Sequence, residues 1–266
     1  MEEAHRRGLL TATSLMVGAP AAADAVERAR RLPGLRVGLH LVLVEGRPLL
    51  PPAEVPGLVD RRGFFRENMA LAGAAFFFRP SVRRQLAAEI EAQFAAFRAT
   101  GLALDQVNSH KHFHLHPTVA ALILAIGARH GARAVRIPLE PRRVLAQAAP
   151  AERRPRPDIT VPWTRFLRRR VAAAGMTAPD QVFGLAWSGA MTAERLRGLL
   201  RHLPPGLTEI YLHPATGGGF PGAAPGYRYA EELAALTDPG VLAAADTAGA
   251  RRGGLGDFGL GDFTRR

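Results

Sequence analysis

The sequence contains no cysteine, which excludes a disulfide framework, a thiolate metal site and a cysteine nucleophile. Any metal must therefore be held by nitrogen and oxygen. Lysine is nearly as scarce: Lys111 is the only one among 35 basic side chains. No apolar run approaches the roughly 20 residues needed to span a bilayer, so no integral membrane segment is expected. The first residues show no basic segment followed by an apolar stretch, so export is not expected. The expected location is the cytoplasm, with contact at the inner face of the membrane a further expectation. No strand runs straight into a helix through a glycine-rich nucleotide fingerprint, and no internal repeat is visible.

What remains is ordinary globular material: 266 residues, 47% hydrophobic and 22% charged. Disorder and fibrous repeats are excluded on composition. A chain of this size can bury a substantial core. The formal charge of +12 invites a nucleic-acid reading, but the arginines are spread along the chain. Short clusters occur at Arg153 to Arg156 and Arg168 to Arg170 without interleaved aromatic residues to stack on bases. They read as solvated surface, and nucleic acid is not an expected partner.

Strand and helix patterns alternate. Residues 1–8 end a helix, 9–17 form a strand, 21–32 a helix closed by Pro33-Gly34, and 35–44 an apolar strand suited to a sheet covered on both faces. The stretch from Glu45 to Pro80 is rich in proline and reads as a long loop, a lid or binding element. Ser81 then caps a helix to about Thr100, with Val82, Leu86, Ile90, Phe94 and Phe97 at helical spacing. A strand over 102–110 precedes a helix opened by Pro117. Short strands follow near 134–137, 181–183 and 207–213, with helices near 163–174, 192–203 and from Tyr229. Residues 140–162 read as irregular. One domain over 1–250 and a flexible Gly- and Arg-rich tail over 251–266 are expected. Repeated strand–helix units of this kind favour an α/β barrel, with chemistry at the C-terminal ends of the strands.

Six of the nine histidines match that rule. His40 lies late in the strand Leu35-Arg-Val-Gly-Leu-His40. His110, His112, His114 and His116 sit where a strand hands over to a helix, in Asn108-Ser-His-Lys-His-Phe-His-Leu-His-Pro117. His213 ends Glu209-Ile-Tyr-Leu-His213. If the 110–116 run is extended, its four imidazoles share one face about 6–7 Å apart, too far for all to bind one ion. A lone strand histidine is usually a packed core residue; histidines delivered by three strands to one end point to a metal site. Neutral imidazole suits Zn²⁺, Ni²⁺ or Fe²⁺, and hydrolytic centres commonly use three protein ligands. His5, His130 and His202 read as surface or packing residues.

These segments, together with Gly8 to Pro20, Val37 to Leu49 and Val135 to Pro141, resemble the YdjC-like carbohydrate deacetylases, and most of all the members associated with hopanoid biosynthesis. The resemblance implies a deformed (β/α) barrel and metal-dependent removal of acetyl from an N-acetylated sugar. The implied substrate is an N-acetylglucosaminyl lipid, and the implied cofactor a divalent ion, Zn²⁺ or Mg²⁺. Carried over residue by residue, His40 and His110 match the family's histidine ligands. His213 matches the late histidine that serves as general acid or polarises the substrate, and Arg136 an arginine lining the same cavity. His112 and His114 match further pocket histidines that would contact substrate. A homodimer and peripheral membrane contact are further expectations.

The family opens on a strand ending in Asp-Asp-Phe-Gly, which supplies an aspartate ligand and the catalytic base. Met1 to Gly8 corresponds to the helix after that motif. A barrel lacking its first strand, with weak metal binding and impaired turnover, is therefore expected. Gly256-Asp-Phe-Gly259 echoes the motif but is not expected to replace it. Asp105 cannot replace it either, lying on the opposite face of its strand from His110. The Phe76-Phe77-Phe78 run suits an apolar lid or plain core packing. The rival reading is a non-catalytic histidine-rich metal-binding protein; a basic membrane-surface or nucleic-acid adaptor is third.

Overall fold

The computed structural model describes residues 1–152, 160–220 and 222–259. In chain order the elements are α1 (Glu2–Arg7), β1 (Ala12–Leu15), α2 (Ala22–Arg30) and β2 (Arg36–Leu41). Then come α3 (Met69–Phe78), α4 (Pro80–Ala99), β3 (Leu104–Ser109), a 3₁₀ turn over His110–Leu115, and α5 (Pro117–Arg129). The rest comprises α6 (Arg142–Ala148), α7 (Val161–Ala173), β4 (Gln181–Phe183), α8 (Ala193–Arg201), β5 (Thr208–Ile210), α9 (Tyr229–Thr237) and α10 (Pro239–Ala248).

β1, β2 and β3 form one parallel sheet in that order, and β4 and β5 a second. Single parallel bridges, Val107 to Val135 and Ala134 to Thr177, lead from the first sheet toward the second. The fold is thus mixed α/β with parallel strands; a closed ring is not found among the described residues. β2 is apolar because both its faces are covered: Leu39 and Leu41 are fully buried. Truncating either to alanine would cost about 2–5 kcal/mol. α4 lays Val82, Leu86, Ile90, Phe94 and Phe97 into this core, and Pro80 sits in its first turn, where a missing N–H costs nothing. A second core gathers α6, α8, α9 and α10 around Phe183 and Met191.

One irregularity sets the position of the site. Between Val37 and Leu39 the pairing of β2 with β3 slips, so that Leu39 faces Val107 and His40 faces Asn108. Gly38 permits the close approach: a Cβ there would lie 2.7 Å from both Cγ and the carbonyl oxygen of Gln106. The bulge brings a histidine and an asparagine side by side at the C-terminal end of the sheet.

Several expectations are corrected. The 45–80 segment is neither all loop nor an open lid. α3 lies within it, capped by Asn68 accepting from Leu71 N–H, and Val55, Leu58, Val59 and Phe65 enter the core. Buried Glu89 accepts from the backbone N–H groups of Leu49 and Leu50, while Gln93 bridges both backbone groups of Val42. The phenylalanine run divides: Phe76 is core, whereas Phe77 and Phe78 are exposed. α6 forms inside the supposedly irregular 140–162 stretch; Arg153 to Arg156 lies outside the described residues.

The tail is corrected as well. Residues 253–258 lie across the N-terminal ends of the strands. Asp105 accepts from Leu255 N–H at 3.2 Å and Gly256 N–H at 2.9 Å. Thr11 Oγ1 donates to the Gly253 carbonyl, Arg36 pairs with Asp257, and Leu255 and Phe258 are buried. Asp257 and Asp105 therefore sit at the end of the sheet opposite His40, and neither serves a site there.

Candidate functional site

At the C-terminal end of β2, His40 Nδ1–H donates to Asn108 Oδ1 at 2.5 Å, and the Asn108 amide donates to Ser14 Oγ on β1 at 2.8 Å. The amide's donation to Ser14 sets its orientation, so its oxygen faces the imidazole. His40 is thereby held as the Nδ1–H tautomer with the Nε2 lone pair available. Burial first, and then the positive charge of Arg136, lower His40 to about 3, so the ring is neutral and able to ligate.

His110 follows directly. β3 stops at Ser109, and the chain turns through left-handed backbone at Lys111 (φ 52°) and His112 (φ 53°). This turn overrides the extended geometry that would put four imidazoles on one face. The rings separate. His110 meets His40 edge to face with centroids 5.8 Å apart. His112 meets Tyr211, its Nε2 3.2 Å from the phenol oxygen. His114 is buried against Ser109, whose hydroxyl lies 2.9 Å from its Nδ1. His116 leaves the cluster and packs on Phe76, Phe77 and Phe113.

His213 reaches the same neighbourhood from beyond β5. Its backbone N–H donates to the Glu232 carboxylate, which also accepts from Met191 N–H. Its ring lies 5.6 Å from Tyr211 and 5.0 Å from Tyr227. Burial, then the charge of Arg136, brings His213 down to about 4. The imidazolium that a simple general acid requires is therefore not its state in the free protein at neutral pH. As a neutral ring it suits hydrogen bonding to a carbonyl instead.

Arg136, expected to line the cavity, is buried, and its guanidinium is committed. Nε and Nη2 donate to the two oxygens of Glu209 at 2.9 and 2.5 Å, and the group lies 4.8 Å over the Tyr211 ring. Its charge adds to burial, the larger cause, in lowering His40, His112 and His213. Burial and Arg136 likewise lower His112 to about 4.

The structure thus brings His40, His110, His112, His114, Arg136 and His213 into one connected neighbourhood. The reading of single residues missed Asn108, Ser14, Glu45, Tyr211, Glu209 and Glu232. Of these, Asn108, Glu209 and Tyr211 stood inside the histidine-bearing motifs that could have flagged them.

The donor set can be tested against a metal. His40 presents an available Nε2 and His110 lies beside it, and no group of three histidine or carboxylate ligands is found among the described residues. His40 and His110 would supply two imidazole ligands to a divalent ion, one fewer than a typical hydrolytic centre.

The family described as YdjC-like protein matches residues 1–247 of the chain. A carbohydrate deacetylase of Geobacillus stearothermophilus is 32% identical over 245 residues, covering 91% of this chain and 83% of the relative. A carbohydrate deacetylase of Vibrio vulnificus CMCP6 is 38% identical over 136 residues, about half of each chain (51% and 49%). A solved structure from Enterococcus faecalis V583, named for cellobiose-phosphate cleavage, superposes with a TM-score of 0.73 at 23% identity. That superposition covers 97% of this chain and 92% of the other, and at this identity it speaks to the fold alone.

Proposed function

The chain belongs to the YdjC-like family, and we propose that it removes acetyl from an N-acetylated sugar with the help of a divalent ion. The single observation that carries this reading is the convergence of the His40 and His110 rings, 5.8 Å apart, in the same neighbourhood as His213 and His112. A storage protein has no need of such convergence, nor of a buried Arg136–Glu209 pair behind it.

In the proposed reaction water adds to the amide carbonyl, the C–N bond breaks, and the water's proton ends on the departing amine; acetate and a free amino sugar result. His40 through Nε2 and His110 would hold the ion, Zn²⁺ or Mg²⁺. When bound, such an ion supplies Lewis acidity toward the carbonyl and acidifies water. His213, neutral and fixed by Glu232, donates a hydrogen bond to the carbonyl oxygen as negative charge grows there. His112 and Tyr211 line the sugar side, where their ring edges and hydroxyl suit a pyranose. His114, fully enclosed by Ser109 and His112, shapes the pocket from behind. A two-imidazole donor set makes for weak metal binding and slow turnover, so added metal is required in any assay.

The fold that supports this chemistry best is the deformed barrel, with the two parallel sheets as its arcs. A lipid-linked substrate such as a hopanoid glycolipid is the finer reading. It rests on the exposed side chains of Leu71, Phe77 and Phe78 on α3, of which Phe77 lies 6.3 Å from the His116 ring. No described helix is long and apolar enough to cross a membrane, so contact with lipid would be peripheral. Acetate release from chitin oligomers and from N-acetylglucosaminyl lipid, with excess Zn²⁺ or Mg²⁺, tests the proposal. Release that disappears in His110→Ala supports it; none from any N-acetyl sugar at any metal concentration refutes it.

A further inference from the structure

Among the described residues only three non-glycine positions have left-handed backbone: Glu45 (φ 49°), Lys111 (φ 52°) and His112 (φ 53°). Such conformations carry strain and persist where surroundings over-determine them. All three fall on two loops that face each other. Glu45 follows the strand segment that carries His40; Lys111 and His112 follow His110. The loops are joined by an ion pair between Glu45 and Lys111, the only lysine in the sequence. The second Glu45 oxygen lies 3.4 Å from His110 Nε2.

A carboxylate can only accept, so His110 meets it with an Nε2–H. That leaves the Nδ1 lone pair for another partner. His40 shows the complementary arrangement, its Nδ1–H bound to Asn108 and its Nε2 available. Each of the two candidate ligands thus has one ring nitrogen tied to an oxygen acceptor, the arrangement by which outer groups fix tautomer and aim in metal sites.

Resting on the metal-dependent reading above, we infer that Glu45 is a positioning residue: it holds His110 as the Nε2–H tautomer that ligates through Nδ1, and Lys111 anchors the carboxylate for that task. The strained backbone at 45 and 111 is what brings the two side chains within reach across the gap between the loops.

The test uses the full chain and compares Glu45→Ala, which removes the acceptor, with Glu45→Gln, which keeps an accepting oxygen but loses the ion pair. Long-range ¹H–¹⁵N spectra of the imidazoles, recorded without metal, read the His110 tautomer. Zn²⁺ titration calorimetry reads affinity. The expected result is His110 almost wholly Nε2–H in the wild type and in Glu45→Gln, and a measurable Nδ1–H fraction beside it in Glu45→Ala. Zn²⁺ affinity should fall about 10–100-fold in Glu45→Ala and by much less in Glu45→Gln. If Glu45 merely clasped the loops, both variants would behave alike, and the inference would be overturned. An Nδ1–H tautomer in the wild type would also overturn it. Wild-type protein that binds no Zn²⁺ would defeat the metal reading and, with it, the ligand role given to His110, whereas the tautomer spectra judge Glu45 separately.

Discussion

Asn108 Oδ1 accepts from His40 Nδ1 at 2.5 Å, and this bond exists because β2 and β3 slip by one residue at Gly38. It fixes which nitrogen of His40 is free. Asn108→Leu keeps the volume but removes the acceptor. Zn²⁺ affinity should fall about 10–100-fold, measured by calorimetry, while the far-ultraviolet dichroism stays that of the wild type. Unchanged affinity would mean that His40 is held by packing alone.

The Arg136–Glu209 pair is buried on both sides, with side-chain exposures of 11% and 12%. Removing one partner leaves the other charged and enclosed. Arg136→Met should destabilise the protein by about 3–5 kcal/mol in urea unfolding, and the double variant Arg136→Met with Glu209→Leu by clearly less. Additive losses would show that the two side chains act separately.

His213 stays neutral in the fold down to about 4, below the ordinary histidine value. Between roughly pH 6.5 and 4 the unfolded chain takes up a proton that the folded chain refuses, so stability falls as pH falls through this window. The slope is at most about 1.4 kcal/mol per pH unit; the ring is 38% exposed, and solvent screening reduces it further. Glu232, raised by burial, acts in the opposite sense, so the informative quantity is a difference between variants. His213→Gln, without metal, should lose less Tm than the wild type between pH 7 and pH 5. An equal loss would place the titration elsewhere.

Asp105 ties residues 254–256 to the floor of the sheet through two backbone N–H groups. Asp105→Ala leaves both donors unpaired, at a cost of about 1–3 kcal/mol. Limited proteolysis should then cut near residue 253 at least several times faster than in the wild type. Gly254→Ala should act alike, because its Cβ would fall 2.3 Å from Asp105 Oδ1.

Periodicity and punctuation revealed much of this fold in advance. The apolar stripe from Val82 to Phe97 and the proline at 117 placed α4 and α5, and the strand at 181–183 was legible to the residue. α3 was hidden because Met69 to Phe78 is apolar almost all round and shows no amphipathic period. The docking of residues 253–258 was hidden because glycine-rich composition is read as freedom, whereas here it lets backbone approach Asp105. In the site, histidines at strand ends could be found by counting. Their partners could not: Glu45 is 65 residues from His110, and the left-handed turn at Lys111 and His112 has no glycine to announce it.

In the proposed site His40 and His110 share one divalent ion while His213 stands beside it without ligating. Titration of Co²⁺ into the wild type, His40→Ala, His110→Ala and His213→Ala, followed by visible absorption, addresses this directly. One saturable site is expected in the wild type and in His213→Ala, with affinity at least about tenfold weaker in the two ligand variants. Equal Co²⁺ binding by His40→Ala, His110→Ala and the wild type would contradict the shared site.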